Sequence, residues 1–244
     1  MNETVIQFEK FNQLQENDCQ QKIIDAKLQL KDKLVILGHH YQNESVYRHA
    51  DFTGDSLKLA QYTQNLEAQY IIFLGVHFMA EVSNILSRED QITILPDLSA
   101  GCQMADMADL QKVQRTYREI NKVLNFDEVI TPITYINSAA DLKAFCGEHD
   151  GIVCTSTNAP KVLEWAFHQK EKVLFFPDQH LGRWTGFKMG IDLDDMVVWD
   201  PDLPLGGLTK EQIHKAKILL WKGHCAVHQM FREDHIKKFR EENP

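Results

Sequence analysis

The sequence has no apolar run that approaches the roughly 20 residues needed to cross a bilayer, so we expect no transmembrane helix. It also has no basic excess, since 26 lysines and arginines stand against 35 aspartates and glutamates, for a formal net charge of −9. Nucleic acids and anionic membranes both require a basic face, so we expect neither as a partner. The first ten residues lack the basic and apolar pattern of a secretory leader, and we therefore expect a cytoplasmic protein.

Paired cysteine motifs are missing as well. The sequence contains an odd number of cysteines and no C-x-x-C pair; the five are Cys19, Cys102, Cys146, Cys154 and Cys225. In a reducing compartment such a scattered set indicates free thiols or metal ligands rather than a disulfide framework. Free cysteine is most often a small buried hydrophobe, and this explanation stays open for all five.

The sequence does have a large apolar fraction and an alternating strand and helix pattern. With 43% hydrophobic residues among 244, the chain can bury a substantial core. Amphipathic helical segments separate short apolar runs typical of buried strands, at 33–38, 70–73, 92–95, 129–135, 151–154, 172–176 and 218–221. This alternation favours parallel sheets covered by helices. We therefore predict an α/β fold of pseudo-repeated three-layer αβα units with short parallel sheets.

The pattern also repeats along the chain. Placing Pro96 on Pro177, an offset of 81 residues, superimposes Asp97 on Asp178 and aligns the apolar run before each of them. This periodicity indicates an internal duplication. In this register Cys102 falls on an arginine, so the register alone does not explain Cys225.

The repeat divides the chain into two complete units and an unfinished third. A segment rich in Asp, Pro and Gly, residues 189–208, is predicted to be a long loop. We expect the first unit at 1–110, with N-terminal helices within 3–30, the second at 111–205, and the start of the third at 206–244.

Two cysteines stand in loops that follow apolar runs. Cys102 comes after the run at 92–95, and Cys225 comes after the run at 218–221. Open α/β sheets bind ligands at the carboxyl ends of their strands, and soft thiolates suit iron-sulfur clusters. Spacing alone leaves two alternatives open, which are plain packing and a zinc site that uses Cys225 and His228.

Polar and aromatic side chains follow two other predicted strands. His39 and Tyr41 come directly after the first run, and an imidazole or phenol there can hydrogen-bond a substrate and move protons. Tyr135 and Asn137 lie two residues apart at a strand end, so both can face one cavity if the chain is extended. The alternatives are a satisfied polar residue, a packing aromatic and a turn.

Two serines stand at predicted helix starts. Ser56 and Ser156 precede helical segments, and a helix N-terminus is a ready anion site. Two such starts can bind a dicarboxylate or a phosphate. Helix capping is the alternative explanation for both serines.

These motifs together resemble the quinolinate synthase family. The shared motifs run in family order over essentially the whole chain: H-H-Y-Q at 39–42, G-D-S-L at 54–57, G-V-H-F-M-A-E at 75–81, A-G-C-Q-M-A-D-M at 100–107, Y-I-N-S-A-A at 135–140, C-T-S-T-N-A at 154–159, P-D-Q-H-L-G at 177–182 and W-K-G-H-C-A-V-H at 221–228. The resemblance implies three αβα units around a central cluster, each of which supplies one cysteine. The family's C-terminal third, with its His-Pro-Glu-Cys motif, Gly-Ser-Thr segment and third cysteine, has no counterpart here.

The resemblance also implies a reaction and its residues. The family condenses iminoaspartate with dihydroxyacetone phosphate to quinolinate in de novo NAD biosynthesis, with a 4Fe-4S cluster and a functional link to L-aspartate oxidase. It implies Cys102 and Cys225 as metal ligands and Tyr41 as catalytic. The implied substrate-binding residues are His39, Ser56, Tyr135, Ile136, Asn137 and Ser156. The alternative is a non-catalytic or partner-dependent fragment that binds a small dianion but cannot hold a complete cluster.

Overall fold

The computed structural model describes residue 11 and residues 13–243. Contacts within the chain divide it into two compact units, residues 1–98 and 99–244. The helical segment expected at 3–30 falls partly on residues outside the described ones, and inside them one helix spans Glu16–Leu30. Within the described part of the chain, no helix has both the length and the apolar character to cross a membrane.

The first unit is a four-stranded parallel sheet with helices. Its elements in chain order are α1 (Glu16–Leu30), β1 (Leu34–His39), α2 (Glu44–Tyr47), β2 (Phe52–Gly54), α3 (Ser56–Thr63), β3 (Tyr70–Leu74), α4 (His77–Leu86) and β4 (Ile92–Ile94). The strand order is β2-β1-β3-β4, and every neighbouring pair is parallel. The two inner strands carry fully buried side chains, Leu37 on β1 and Ile71 and Phe73 on β3, as parallel strands covered by helices require.

The second unit is a larger parallel sheet with five strands in the order β6-β5-β7-β9-β8. Its strands are β5 (Ile130–Tyr135), β6 (Ile152–Cys154), β7 (Lys172–Phe176), β8 (Met196–Trp199) and β9 (Ile218–Trp221). Its helices are α5 (Leu110–Ile120), α6 (Phe126–Val129), α7 (Ala140–Glu148), α8 (Ala159–Gln169), α9 (Gln179–Lys188), α10 (Lys210–Lys215), α11 (Ala226–Gln229) and α12 (Glu233–Glu242).

The core of the second unit lies on both faces of its central strand. On one face Leu174 and Phe176 of β7 join a cluster with helices α5 and α7. On the other face Val173 and Phe175 join a cluster with α8. Alternate side chains of a strand point to opposite faces, so the apolar run of β7 is buried on both sides. The predicted α/β fold of three-layer αβα units with parallel sheets is confirmed.

The prediction of a long loop at 189–208 is wrong. Its middle forms β8, an edge strand that pairs in parallel with β9, and short 3-10 turns at Leu193–Asp195 and Pro204–Gly207 flank it. The surrounding Asp, Pro and Gly residues belong to those turns. Because the Met-Val-Val-Trp strand has only four residues, the turn residues on either side obscured it.

The offset of 81 residues is also wrong, although the repetition itself is present. It places β3, an inner strand between β1 and β4, on β6, an edge strand that pairs only with β5. The strand orders match when β2-β1-β3-β4 is laid on β6-β5-β7-β9. The sequence did not reveal the three-residue strand β2, and without it the sequence register shifted by one strand.

Residues 206–244, which the sequence assigns to a third unit, contribute their one strand, β9, to the second sheet. Helices α11 and α12 follow this strand, and no residue of α12 is buried. The unit boundaries at 110 and 205 stay predictions.

Candidate functional site

The loops that carry Cys102 and Cys225 are joined through one residue, Met107. The Met107 carbonyl oxygen accepts a hydrogen bond from the Trp221 indole Nε1 at 2.9 Å, although 114 residues separate the two in the chain. The Met107 sulfur accepts from the backbone amide of His224 at 3.3 Å. Both cysteines are partly exposed. The second unit therefore brings these two cysteine loops to the same end of β9.

Gly223 lets a third loop join them. An added Cβ at Gly223 would lie 2.1 Å from the Pro177 carbonyl oxygen and 3.5 Å from the Met107 Cβ. The Gly223 carbonyl accepts from the amide of Gln179 at 3.0 Å, and Asp178 forms an isolated parallel bridge with Gly223. Only a residue without a side chain allows the loops after β7 and β9 to approach this closely.

The other two cysteines of this unit have a different environment. Cys146 and Cys154 are completely buried. Burial raises the pKa of the Cys154 thiol to about 12, and it raises the pKa of Cys146 further still. Because the thiolate is the metal-binding form, these two side chains are packing residues, and the partly exposed Cys102 and Cys225 are the candidate ligands.

Tyr135 lies at the end of β5 beside the Cys102 loop. Its hydroxyl is hydrogen-bonded to Ser156, and its pKa is raised, first by burial and then by the nearby Cys154, Asp178 and Cys102. Cys102 and Asp178 come from the loops after β4 and β7, Cys154 ends β6, and Ser156 follows β6. Tyr135, Ser156 and Cys102, which the sequence proposed separately, therefore lie together at the carboxyl end of the second sheet.

Ile136 and Asn137 form the turn that follows β5. The Ile136 amide donates to the Cys154 carbonyl oxygen at 2.8 Å, and its side chain is buried. Asn137 is partly exposed, as Tyr135 is. The turn is secured by Ser138, whose hydroxyl donates to the Tyr135 carbonyl oxygen at 2.7 Å. The expected placement of Tyr135 and Asn137 on one side thus agrees with the alternating burial.

Ser156 does not lie at the start of a helix. Helix α8 begins three residues later, at Ala159. The intervening turn is closed by Thr155 and Asn158, since the Thr155 amide donates to the Asn158 side chain at 2.6 Å and the Asn158 amide to the Thr155 hydroxyl at 3.2 Å. Ser156 is left exposed, and it does not cap α8.

In the first unit, His39 and Tyr41 form one aromatic group after β1. Their ring centroids lie 4.0 Å apart, and the Tyr41 amide makes a long hydrogen bond of 3.4 Å to His39 Nδ1. Burial, assisted by the neighbouring His40, lowers the pKa of His39 to about 4, against an opposing effect of Asp55. A neutral ring that accepts at Nδ1 carries its proton on Nε2, so His39 offers an N–H donor.

Tyr41 is about half exposed. Its hydroxyl donates to the Met79 sulfur at 3.9 Å. The phenol is therefore held against α4 while much of its surface faces solvent.

Ser56 is the first residue of α3, but Asp55 caps the helix. The Asp55 carboxylate accepts from the Lys58 amide at 2.9 Å. The capping explanation for Ser56 therefore fails. A carboxylate at this helix start also repels a second anion, which weighs against Ser56 as an anion ligand and leaves its hydroxyl as an ordinary hydrogen-bonding group.

Laying the two sheets on each other strand for strand shows that the candidate residues form equivalent pairs. Each pair lies at the end of, or after, corresponding strands of the two sheets, namely β1 and β5, β2 and β6, or β4 and β9. The pairs are His39 with Tyr135, Tyr41 with Asn137, Ser56 with Ser156, and Cys102 with Cys225. Sequence reasoning missed this correspondence because it used the wrong register.

Among the described residues, no group of three or more His, Cys, Asp or Glu side chains is placed to hold a metal ion. His228, the zinc partner considered for Cys225, is exposed on α11. A zinc site built from Cys225 and His228 therefore has no third donor in this part of the chain.

Two positions with structural roles at the site escaped sequence reasoning. Met107 joins the cysteine loops, and Gly223 allows their approach. A glycine directly after a buried strand is a recognisable signal of close backbone approach. Nothing local marks Met107, because its partners are more than 100 residues away in the chain.

A family model described as quinolinate synthetase A protein matches residues 21–244. The chain is similar to the quinolinate synthases of Herpetosiphon aurantiacus (52% identity over 93% of this chain and 61% of the relative) and Corynebacterium glutamicum (50%, 97% and 60%). It is also similar to that of Bacillus subtilis (48%, 97% and 64%). The chain thus spans about 60% of the length of these relatives. It belongs to the quinolinate synthase family.

Proposed function

We propose that this chain forms part of a quinolinate synthase, which condenses iminoaspartate with dihydroxyacetone phosphate to quinolinate in NAD biosynthesis. The observation that carries the proposal is the Met107 contact, which joins the loops of Cys102 and Cys225 beside Tyr135 and Ser156. In reaction class the protein is a transferase that catalyses a dehydrating condensation. We propose that it works in the cytoplasm, where reducing conditions keep thiols free, and that L-aspartate oxidase supplies the iminoaspartate.

The two partly exposed thiols fit a 4Fe-4S cluster as two of its ligands. They are soft donors on loops in contact with each other, whereas the buried Cys146 and Cys154 are unsuited to ionise. Full ligation requires a donor besides Cys102 and Cys225. When bound, such a cluster supplies a Lewis-acidic iron that assists the loss of a substrate hydroxyl.

The remaining proposed residues hold substrate by hydrogen bonds. The neutral His39 ring offers its Nε2 proton to a carboxylate or carbonyl oxygen near pH 7. Tyr41, with its exposed phenol beside that ring, moves protons between substrate and solvent.

In the second unit, the hydrogen-bonded hydroxyls of Tyr135 and Ser156 act as a pair of polar contacts for substrate oxygens. Asn137 adds its side-chain amide on the same side of the turn. Ile136 contributes a buried wall and a backbone turn held by Cys154. Ser56 contributes a hydroxyl, and the Asp55 carboxylate beside it favours a neutral substrate group there over an anionic one.

Anaerobic reconstitution with iron and sulfide tests the cluster ligands. We expect Cys102→Ser and Cys225→Ser each to lower bound iron and the visible thiolate-to-iron absorption strongly. Cys19→Ser is the matched control, since Cys19 is also partly exposed but lies on α1, and it should leave both unchanged. Equal iron in wild type and Cys102→Ser would overturn the assignment.

The second candidate function is a partner-dependent fragment that binds a small dianion and completes its site with another polypeptide. The observations in its favour are the coverage of about 60% of each relative and the presence of only two candidate thiol ligands. The test is to mix the chain with a separately expressed polypeptide that corresponds to the unmatched part of a relative. Quinolinate formation only in the mixture supports complementation, and equal activity of the chain alone contradicts it.

A further inference from the structure

Helix α9 of the second unit presents an aromatic patch that the candidate site does not use. The helix packs on β7 and β9 through small residues, and an added Cβ at Gly182 would lie 2.6 Å from Leu220 and 2.8 Å from Phe175. Leu181 also packs on this side, whereas the bulky aromatic residues of α9 are exposed. Trp184 and Phe187 are 57% and 52% exposed, with stacked rings 5.9 Å apart.

This patch forms a shallow groove, which we call the α9 groove, lined by His180, Arg183, Trp184, Phe187 and Leu193. Leu193, from the turn after the helix, is 53% exposed. Exposed apolar side chains that adjoin one another in this way mark interaction surfaces, whereas single exposed ones do not. The exposed apolar side chains of the α9 groove therefore indicate a binding surface.

The surface around the α9 groove carries charges of both signs. Arg183 lies in the middle of α9, and Lys188 at its end places its ammonium over the Trp184 ring, 5.3 Å from the centroid. The exposed Asp192 and Asp194 flank Leu193 in the turn after the helix. In the described part of the chain Arg183, Asp192 and Asp194 form no ion pair, whereas the neighbouring Asp195 pairs with two lysines.

We propose that a second copy of this chain occupies the α9 groove in an antiparallel, two-fold arrangement. Two-fold contacts are self-complementary, because each copy presents the same patch to the other. The arrangement stacks Trp184 and Phe187 of the two copies and sets Arg183 of each copy opposite Asp192 and Asp194 of the other. A uniformly acidic partner would be repelled by Asp192 and Asp194, and a uniformly basic one by Arg183 and Lys188. A second copy carries charges of both signs and can pair with both.

The small area of the α9 groove limits the affinity of the contact. Stable interfaces bury about 1,600 Å² in total, and five lining residues supply only the centre of such an area. The dimer is therefore weak, with a dissociation constant of about 1–100 µM.

Sedimentation velocity on the whole chain at about 1–200 µM tests the proposal. We expect wild type to shift from monomer to dimer across this range and Trp184→Glu to stay monomeric. Phe239→Glu is the matched control, because Phe239 is another exposed aromatic, 66% exposed on α12, and it should dimerise as wild type does. Far-ultraviolet circular dichroism confirms that each variant is folded.

Charge reversal distinguishes the proposed contact from non-specific association. We expect Arg183→Glu alone, and Asp192→Arg with Asp194→Arg, each to raise the dissociation constant about tenfold or more. The triple variant should recover the wild-type constant. Any one of four results would overturn the proposal. These are a wild type that stays monomeric at every concentration, dimers in Trp184→Glu, loss of the dimer in Phe239→Glu alone, and no recovery in the triple variant.

Discussion

At the scale of single residues, the candidate site depends on close approaches that few side chains allow. Gly223 lies where three loops meet, with the Pro177 carbonyl oxygen in the space that a Cβ would fill. His39 has a strongly lowered pKa, because it ends a buried strand. Both features come from the position of the residue in the fold rather than from its type.

We expect Gly223→Ala to destabilise the chain by about 1–3 kcal/mol, because the new methyl group meets backbone that cannot rotate away. The matched control is Gly147→Ala in α7, where an added Cβ meets nothing within 4 Å. That change should raise stability by about 0.5–1 kcal/mol through better helix propensity. Urea unfolding measures both. Equal effects of the two substitutions would contradict the close approach at Gly223.

The lowered pKa of His39 predicts a pH dependence of stability. The pKa is about 4 in the folded chain and about 6.5 in an unfolded one, so the unfolded chain binds the proton more readily. The stability that His39 contributes is fully present above pH 6.5 and is lost as the pH falls from about 6.5 to about 4. His39→Gln should remove this part of the slope. A nuclear magnetic resonance titration of the ring tests it directly, and an inflection near 6.5 would contradict it.

At the scale of elements, two helices at the same distance from a candidate cysteine differ in burial. Helix α5 begins eight residues after Cys102, and α12 begins eight residues after Cys225. In this register Val113 falls on Ile236, whereas the other apolar residues of the two helices fall on polar ones. Val113 is completely buried and Ile236 is 59% exposed. An aliphatic residue at the same position is therefore a core residue in one helix and a surface residue in the other.

This contrast predicts opposite costs for one substitution at two equivalent positions. We expect Val113→Ala to destabilise the chain by about 1–3 kcal/mol, because it opens a cavity in the core of the second unit. Ile236→Ala should change stability by less than about 0.5 kcal/mol, because its side chain is in water. Thermal unfolding measures both, and a large loss in Ile236→Ala would show that α12 is packed in solution.

At the scale of the whole molecule, the two compact units have separate sheets and cores. The second unit, residues 99–244, has a five-stranded sheet with apolar clusters on both faces. A unit with its own core is expected to fold on its own. The candidate residues lie in both units.

We expect the fragment 99–244 to fold alone, with a single cooperative thermal transition and the near-ultraviolet signal of its buried Trp199 and Trp221. Circular dichroism and calorimetry measure this. Trp221→Phe in the fragment serves as a probe of the Met107 contact, since it removes the indole donor and should cost about 1 kcal/mol. A fragment that melts without cooperativity would contradict the independence of the unit.

The sequence by itself determined the features that depend on neighbours along the chain. The apolar runs of β1, β3, β5, β7 and β9 and the motif order predicted the α/β class, the family and the two loop cysteines, because burial on both faces leaves an unbroken apolar run. Only the tertiary structure decided the strand register, the edge strand β8 and the contact of Met107 with Trp221, because these depend on which strands become neighbours. A contact between residues 114 positions apart produces no periodic pattern in the sequence. For the same reason the sequence did not reveal that Ser156 lies outside α8, or that Cys102 and Cys225 follow equivalent strands.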